Sequence, residues 1–425
     1  MTLEDKNIDI LIIGAGPAGL AAAIRAKEEG ISNVLIVERD RVLGGLLHQC
    51  IHNGFGLWYF GHDMTGPEYA KKFINRVKDL GINILIDSMV LNITSDKKVT
   101  LCNKNGVRTL EPKAIILAMG CRERSRESIM VSGSRPAGVL TAGTAQRFVN
   151  VEGYLPGREV VILGSGDIGM IMARRLTLEG LDVKAVVEVL PYVGGLIRNE
   201  VQCLHDFDIN ILLKHTVSWI HGKERIEGVT ISEVDEKMMP IPGTEQYIGC
   251  DTLILSVGLI PENELSTMAG VKLESTTGGP IVDEYRMTNI PGIFACGNVV
   301  QVHDLVDNVS WESEIAGLNA ARYVKGEKFN EGTIKLILGH NIRYIVPQHI
   351  SGQEDVTLYM RVREPKEMVR VKIGNIMKKT ERVVKPSSML KYELSYEKHL
   401  SKLPKGTKEI TINCDEKGKE KCQNR

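Results

Sequence analysis

The chain has 425 residues, of which 43% are hydrophobic and 25% are charged, and its formal net charge is zero. This is the composition of an ordinary globular protein with room for two or three domains. The balanced charge predicts no binding to nucleic acid or to an anionic membrane surface. The N-terminus has no signal-peptide pattern, and no apolar run reaches the ~20 residues that cross a bilayer. We therefore expect a cytoplasmic protein without a transmembrane segment.

The first motif along the chain is a glycine fingerprint near the N-terminus. An apolar strand runs into Gly14-x-Gly16-x-x-Gly19, a small-residue helix follows, and the next apolar strand ends at Glu38. The first glycine allows a tight turn, the second lets the backbone approach a pyrophosphate, and the third lets the helix pack on the strand. The N–H groups at the helix start attract the anion, and the acid can accept from ribose hydroxyls. The motif predicts a bound dinucleotide.

Downstream of this motif, the pattern predicts a helix, a meander and a buried strand. Thr65 and Glu68 have the spacing of a capping box, which marks the start of a helix. Residues 82–110 come in short alternating runs, which predict a small antiparallel meander. The buried strand that follows ends in Ala118-Met-Gly120.

A second fingerprint repeats the first in the middle of the chain. It reads Gly164-x-Gly166-x-x-Gly169, and Glu188 follows it at the same interval as in the first motif. A single fingerprint is a weak signal, but here both occur in a complete strand–turn–helix–strand–acid context. Two such motifs predict two dinucleotides held by one protein, and two held dinucleotides usually exchange electrons.

The last third of the chain contains two further strand ends and a change of composition. One buried strand ends at Gly258, and another ends in Gly297-Asn298. A helical pattern begins near Trp311. From about residue 331 lysine becomes frequent and the alternation is that of strands.

These motifs, in this order, resemble the two-dinucleotide-binding-domain flavoproteins of the pyridine nucleotide–disulfide oxidoreductase superfamily, over roughly residues 8–328. We expect an α/β fold with two Rossmann-like three-layer domains, the second inserted in the first, and a small, mostly β appendage. The expected FAD-binding domain comprises 1–125 and 276–330, and the expected NAD(P)-binding domain comprises 155–275. The appendage, with a polar tail, would comprise 331–425.

The resemblance implies that the first fingerprint binds the ADP half of FAD and the second binds NAD(P)H. The Gly297-Asn298 pair matches the motif that contacts the ribityl chain, although the family usually has an aspartate where Asn298 stands. A helix start near Asn308-Val309 would point its N–H groups at the flavin N1/O2 edge. The candidate cofactor-binding residues are Gly14, Gly16, Gly19, Glu38, Gly45, Ala118, Gly120, Gly164, Gly166, Gly169, Glu188, Gly258, Gly297, Asn298, Asn308 and Val309.

The acid of the second fingerprint bears on the choice of nicotinamide cofactor. A carboxylate at Glu188 binds a free 2′-hydroxyl and repels a 2′-phosphate, and no basic residue follows it before Arg198. We therefore expect NADH to be preferred over NADPH.

The cysteine pattern argues against dithiol–disulfide reduction, the reaction after which the superfamily is named. The chain has eight cysteines without C-x-x-C spacing, which argues against a zinc site, an iron–sulfur cluster or a dithiol motif. After Gly44-Gly45, where one class of reductases keeps its redox pair, only Cys50 is found. Cys50 is then either a catalytic thiol that cycles through a sulfenic acid or a residue that packs near the flavin. The pair His303-Asp304 either lies near the flavin or caps a helix with its partner histidine.

A narrower resemblance is carried by three segments, Gly44–Gly56, Arg135–Gly138 and Gly164–Gly169. The chain is similar to flavoprotein subunits found with anaerobic glycerol-3-phosphate dehydrogenases, and to α subunits of opine, sarcosine or hydroxyproline dehydrogenases and of cyanide-forming glycine dehydrogenase. Those amine-oxidising relatives often end in a cysteine-rich cluster-binding domain, for which Cys414 and Cys422 cannot supply four ligands. This departure favours the glycerol-3-phosphate-associated type.

We therefore expect an oligomeric FAD-dependent oxidoreductase that transfers hydride between NADH and flavin and exchanges electrons with a partner redox protein. The partner would resemble a glycerol-3-phosphate dehydrogenase, with the C-terminal appendage as its docking surface. A small-molecule electron acceptor is an alternative to that partner. Three other interpretations stay open: a self-contained NADH oxidase or peroxidase using Cys50, one component of an amine or opine dehydrogenase, and a protein whose nucleotides are structural or regulatory.

Overall fold

The computed structural model describes residues 8–417, which form two compact units. The first unit comprises the chain up to Cys121 and from Pro261 onward, and the second comprises Arg122–Ile260. Each unit contains a parallel sheet built around one fingerprint, and the first unit also includes the C-terminal β domain. The expected fold class, two Rossmann-like domains with one inserted in the other and a mostly β appendage, is confirmed.

Strands and helices alternate in both dinucleotide folds, whereas the end of the chain is almost entirely strand. The first stretch contains β1 (Ile10–Ile13), α1 (Pro17–Glu28), β2 (Val34–Val37), β3 (Asn53–Phe55), β4 (Met64–Thr65), α2 (Gly66–Asp79), β5 (Asn83–Leu85), β6 (Met89–Ile93), β7 (Val99–Asn103), β8 (Gly106–Leu110) and β9 (Ala114–Leu117). The middle stretch contains β10 (Cys121–Glu123), β11 (Ser132–Gly133), β12 (Val139–Thr141), α3 (Ala142–Arg147), β13 (Glu159–Leu163), α4 (Asp167–Leu178), β14 (Asp182–Glu188), α5 (Ile197–Cys203), β15 (Ile211–Leu213), β16 (His215–Gly222), β17 (Ile226–Glu233), β18 (Gln246–Gly249), β19 (Thr252–Leu255) and β20 (Leu259–Pro261). The last stretch contains α6 (Glu264–Met268), β21 (Ile293–Ala295), α7 (Val306–Val324), β22 (Ile334–Leu338), β23 (Ile342–Val346), β24 (His349–Ile350), β25 (Val356–Val362), β26 (Lys366–Ile373), β27 (Met377–Val384), β28 (Leu390–Leu394) and β29 (Glu409–Glu416).

The parallel sheet of the first unit has the order β21-β9-β1-β2-β5. Strand β1 is buried on both faces because α1, α2 and α7 cover one face and the β6–β8 meander covers the other. This explains why its sequence is a continuous apolar run rather than an alternating one. The predicted capping box is present at the start of α2, where the Glu68 carboxylate accepts the Thr65 N–H at 2.8 Å.

The second unit contains a parallel sheet of order β12-β19-β13-β14-β15 and a smaller sheet of order β11-β16-β17-β18. Its bounds differ from the expected 155–275. The segment after Cys121 belongs to it because β11 pairs with β16 and β12 pairs with β19. The chain has already returned to the first unit at Asn263, whose amide donates to the carbonyls of Gly278 and Val299. Spacing alone could not locate these crossings because the strands involved have only two or three residues.

The C-terminal domain has a core of its own, formed between a five-stranded sheet of order β24-β22-β29-β26-β27 and a three-stranded sheet of order β23-β25-β28. Tyr344 and Val346 of β23 extend beyond it and pack into the core beneath the first parallel sheet. Cys414 is buried in β29, whereas Cys422 and most of the predicted polar tail lie outside the described residues. Among residues 8–417, no helix is long and apolar enough to cross a membrane.

Candidate functional site

The two fingerprints fold into the same turn. Gly14 and Gly164 both have a φ of 103°, a left-handed conformation that favours glycine. At Gly19 and Gly169, an added Cβ would lie 1.8 and 2.4 Å from the carbonyl oxygen of the first glycine of the motif. Any side chain at the third glycine would therefore push the helix away from the strand, as the motif predicts.

The acids that follow the fingerprints also make matching contacts. Glu38 is buried, and its carboxylate accepts the Ala15 N–H at 2.6 Å and the Asp40 N–H at 2.8 Å. The Glu188 carboxylate accepts the Ser165 N–H at 2.8 Å and the Leu190 N–H at 2.9 Å. In each site the carboxylate thus connects the fingerprint turn to the end of the second strand. These contacts hold each carboxylate where it could bind the hydroxyls of a ribose. They depend on the sequence interval between the glycine and the acid.

The space in front of the middle glycine of each motif shows whether a dinucleotide can bind there. At Gly16 a Cβ would project into open space, with no described atom within 4 Å, and at Gly166 it would meet only the Ser256 hydroxyl, at 3.9 Å. The space lies at the N-terminal ends of α1 and α4, where N–H groups and the helix dipole favour an anion. A pyrophosphate fits both places, and each turn presents backbone rather than a side chain to it.

The other predicted residues of the first site converge on the same turn. A Cβ at Gly14 would lie 2.4 Å from the Ala118 carbonyl oxygen, and one at Gly45 would lie 3.0 Å from the Gly16 Cα. The Gly44 N–H donates to the Ala15 carbonyl at 2.8 Å. The strand ending in Ala118 and the glycine-rich loop therefore both border the first fingerprint.

At the second site, the turn is bordered by Ser256 rather than by Gly258. A Cβ at Gly164 would lie 2.1 Å from the Ser256 carbonyl oxygen, so this strand end occupies the place that Ala118 has in the first site. Gly258 has a φ of 103° and its carbonyl accepts the Arg124 N–H. In the first unit, Gly120 has a φ of 75°. The structure shows no contact within the described residues by which Gly120 or Gly258 could be assigned to a cofactor, and their roles stay predictions.

The predicted ribityl motif lies beside the first fingerprint. A Cβ at Gly297 would approach the Ala18 side chain to 2.7 Å and the Val309 side chain to 3.3 Å. The Asn298 side-chain oxygen accepts the His303 N–H at 3.0 Å, and its amide nitrogen donates to the Cys121 Sγ at 3.6 Å. Both the oxygen and the nitrogen of the Asn298 amide are thus engaged by neighbouring residues, which fixes the orientation of this side chain.

Helix α7 begins slightly earlier than the predicted Asn308-Val309. Its first residue is Val306, and the N-cap residue is Leu305, whose aliphatic side chain cannot accept from the helix N–H groups. Since Val309 contacts the Gly297 position, this end of α7 faces the ribityl motif. The first turn of α7 therefore lies beside Gly297, and within it the N–H groups of Asn308 and Val309 donate to the Leu305 carbonyl at 3.2 and 3.4 Å.

Beneath the ribityl motif lies a buried charged group that the sequence analysis did not identify. The Glu312 carboxylate accepts the Gly297 N–H at 3.0 Å, lies 2.8 Å from His303 Nε2 and pairs with Arg286 at 3.2 Å. The side chains of Glu312, Arg286 and His303 are fully buried. Burial by itself would raise the pKa of Glu312, but the charges and hydrogen bonds of His303, Arg286 and the Gly297 N–H hold that pKa below its usual value of 4.5.

The helix-cap interpretation of His303-Asp304 was wrong. Asp304 lies before the cap position and pairs with Arg361 of β25, and His303 bonds to Glu312 rather than to its neighbour. The structure instead places His303 next to the ribityl motif, because its backbone N–H donates to the Asn298 side-chain oxygen. The only sequence signal for Arg361 is a cation within an otherwise uncharged strand, Val356–Val362.

Two carboxylates in the first turns of helices hold loops beside the sites. Asp167 of α4 accepts the Leu196 N–H at 2.8 Å and the Asn199 side-chain amide at 2.7 Å. Asp307 of α7 accepts backbone hydrogen bonds from the loop over 56–59, although burial raises its pKa. Both follow the general preference for acids in a first helical turn, which could have drawn attention to them.

Cys50 lies in an environment that does not activate a thiol. Its Sγ donates to the Leu46 carbonyl at 3.3 Å, and its own carbonyl accepts the Gly66 N–H at the start of α2. Burial raises the pKa of Cys50 to about 12. A peroxide- or oxygen-reducing cysteine needs a thiolate near neutral pH, so the structure disfavours the catalytic role, which stays a prediction.

The other described cysteines are partly or fully buried. Within residues 8–417 no disulfide is formed, and no three His, Cys, Asp or Glu side chains are grouped to hold a metal ion. Cys121 and Cys50 lie in the first unit, where Cys296 is fully buried.

Comparison with known proteins agrees with this geometry. Residues 8–313 match the family model for "Pyridine nucleotide-disulphide oxidoreductase", and the chain belongs to this family of FAD- and NAD(P)-dependent flavoproteins. It is therefore an oxidoreductase.

Its relatives differ in their reactions. An opine oxidase subunit of Agrobacterium tumefaciens is 27% identical over 70% of this chain and 64% of its own length. A thioredoxin reductase of Listeria innocua is 27% identical over 76% of this chain and 96% of its own. The hydrogen cyanide synthase subunit HcnB of Pseudomonas protegens is 24% identical over 69% of this chain and 66% of its own.

A solved structure shows the same fold. The thioredoxin reductase of T. acidophilum aligns with a TM-score of 0.62 at 24% identity, covering 74% of this chain and 98% of that one. The chain thus spans about two thirds of the opine oxidase and hydrogen cyanide synthase subunits, and nearly all of the reductases.

Proposed function

We propose that this protein binds FAD at the Gly14–Glu38 site and NADH at the Gly164–Glu188 site, and transfers hydride between them. The observation that carries the proposal is the matching turn-and-carboxylate geometry of the two fingerprints, with open space in front of both helix starts. FAD, when bound, supplies a two-electron acceptor for the hydride. Hydride transfer itself needs no acid or base from the protein.

The chain's own residues would bind and orient the cofactors. The backbone at Gly16 and Gly166 would receive the pyrophosphates, and Glu38 and Glu188 the ribose hydroxyls. The start of α7 would present the N–H groups of its first two residues, Val306 and Asp307, to the flavin edge that becomes negative on reduction. The N–H groups of Asn308 and Val309, which were predicted for this role, donate to the Leu305 carbonyl.

The preference for NADH over NADPH rests on Glu188. Its carboxylate is buried and already accepts two backbone N–H groups, so it is held in place where a 2′-phosphate would lie. An anion there repels that phosphate and accepts from a free hydroxyl.

Electrons would pass to or from a second redox protein. The opine oxidase and HcnB relatives are, by name, subunits of larger enzymes, and the sequence lacks the C-x-x-C pair that would serve as an acceptor within the chain. The similarity to subunits found with glycerol-3-phosphate dehydrogenases makes such an enzyme our proposed partner, within an oligomer in the cytoplasm. A small-molecule acceptor is the alternative. The C-terminal domain stays our candidate docking surface.

Anaerobic titration of the holoprotein with NADH tests the proposal. NADH should bleach the flavin absorbance, and a dye should then be reduced, while disulfide and peroxide substrates are not. Gly166→Val would place a side chain where the pyrophosphate lies, and should abolish bleaching while the flavin stays bound. Gly249→Val is the matched control because the position is an exposed strand residue with room for a side chain.

Three results would contradict the proposal. Wild-type protein whose flavin is not bleached would support a structural or regulatory role for the nucleotides. Rapid disulfide turnover would contradict the partner model. Normal bleaching in Gly166→Val would show that NADH binds elsewhere.

A further inference from the structure

The C-terminal domain contacts the segment that joins the ribityl motif to α7, which we call the motif loop (residues 297–305). Arg361 of β25 pairs with Asp304 and also donates to the Val302 carbonyl at 3.0 Å. The rest of its guanidinium donates to the Tyr344 hydroxyl at 2.9 Å and to the Pro386 carbonyl at 3.1 Å. Its side chain is only 11% exposed, so one arginine connects the motif loop to two elements of the C-terminal domain.

Other contacts fix the same loop from the same side. The Met389 N–H donates to the second Asp304 oxygen at 2.6 Å. The Tyr359 ring meets His303 edge-on, with centroids 5.2 Å apart and an interplanar angle of 84°. Arg286, the buried partner of Glu312, donates to the Thr357 carbonyl at 3.3 Å.

The residues that make these contacts are hydrogen-bonded in turn to the ribityl motif. The His303 N–H sets the orientation of the Asn298 side chain, and the Glu312 carboxylate holds the Gly297 N–H. Leu305, next to Asp304, is the N-cap of α7. A displacement of residues 302–304 would therefore move both the ribityl contact and the helix start.

We propose that Arg361 is a positioning residue for the flavin, through which the C-terminal domain sets FAD affinity and the potential of the bound flavin. The inference rests on the proposed FAD site. Removing the guanidinium leaves the mostly buried Asp304 carboxylate without its cation and frees the Val302 carbonyl, and both changes loosen the motif loop. The C-terminal domain then acts on the flavin from within the chain, whether or not it also docks a partner.

The test uses the full-length protein with Arg361→Ala, Arg361→Lys and the control Arg363→Ala. Arg363 comes directly after the same strand, but its side chain donates to the Ile342 carbonyl inside the C-terminal domain. FAD is titrated into each deflavinated protein, and the midpoint potential of each holoprotein is measured, well below the unfolding temperature of every variant. Arg361→Ala should weaken FAD binding about tenfold or more and lower the midpoint potential, because reduced, anionic flavin loses aligned N–H groups. Arg361→Lys should recover part of both changes, and Arg363→Ala should match the wild type.

The outcomes separate the two proposals. If wild-type protein does not bind FAD, the proposed function itself fails. If Arg361→Ala binds FAD as tightly as Arg363→Ala at an unchanged potential, only the positioning role is overturned. Should Arg361→Ala not fold, Arg361→Lys decides, since it keeps the charge but cannot make all four contacts; wild-type affinity and potential in that variant would overturn the role.

Discussion

Replacing Glu312 by glutamine is the sharpest perturbation of the buried group under the ribityl motif. One carboxylate oxygen accepts from the Gly297 N–H and His303, and the other faces Arg286 and the Gln301 amide. A glutamine must place an NH₂ group on one of these sides, where it faces donors. It also leaves the Arg286 guanidinium buried without a counter-charge. Breaking a buried pair in this way costs about 3–5 kcal/mol, which corresponds to a fall in Tm of roughly 5–8 °C for a unit of this size.

The matched control is Glu314→Gln, two residues further along α7. Burial raises the pKa of Glu314, with a smaller opposing effect from its bond to the Tyr59 hydroxyl, so the ionised form is disfavoured there. Neutralising it should change stability by ~0.5 kcal/mol or less. Thermal unfolding followed by circular dichroism and by flavin fluorescence measures both variants. Equal losses in Glu312→Gln and Glu314→Gln would refute the argument that the ion pairs, rather than helix packing, stabilise this region.

The pH dependence of the same pair follows from the sign of the shift. Because the folded-state pKa of Glu312 lies below the usual value of 4.5, its contribution is fully present above that value and is lost as the pH falls through the folded-state pKa. The stability gap between wild type and Glu312→Gln should therefore be constant near neutrality and narrow in acid. A gap that widens as the pH falls would contradict the assignment.

Three further predictions concern the sites themselves. Cys50→Ser should leave NADH-to-dye turnover unchanged, whereas a catalytic thiol would cost on the order of 10²-fold or more. Because the pKa of Cys50 is raised to about 12, its alkylation by iodoacetamide should be slow at pH 8 and accelerate only in strong alkali; rapid labelling at neutral pH would contradict the burial argument. Glu188→Gln should raise the KM for NADH about tenfold, because one charge-assisted hydrogen bond to the ribose is lost. The same change should narrow the preference for NADH over NADPH. Glu38→Gln is its control, and a shift in that preference there would show that the two sites were assigned the wrong way round.

The sequence predicted those parts of the two sites whose residues lie close together along the chain. In the first fingerprint, the Ala15 N–H donates to Glu38, and these two residues follow the ends of the neighbouring strands β1 and β2. The spacing between glycine and acid therefore determines this geometry. The sequence could not predict the partner of Asp304. Arg361 comes from a separate β domain, and any of several cations in that domain could have paired with Asp304. The domain crossings were also missed, since very short strands carry almost no periodic signal.

The close match between the two fingerprint turns has a consequence for how long each nucleotide stays bound. If FAD is to remain bound through many turnovers while NADH leaves after each one, the difference cannot come from turns that match in backbone angle and in carboxylate contacts. It must come from what borders them. The first fingerprint turn is bordered by the Gly44-Gly45 loop and by the start of α7. The second is bordered by the segment that Asp167 holds. Exchange rates should therefore respond to changes in these borders more than to changes in the fingerprints.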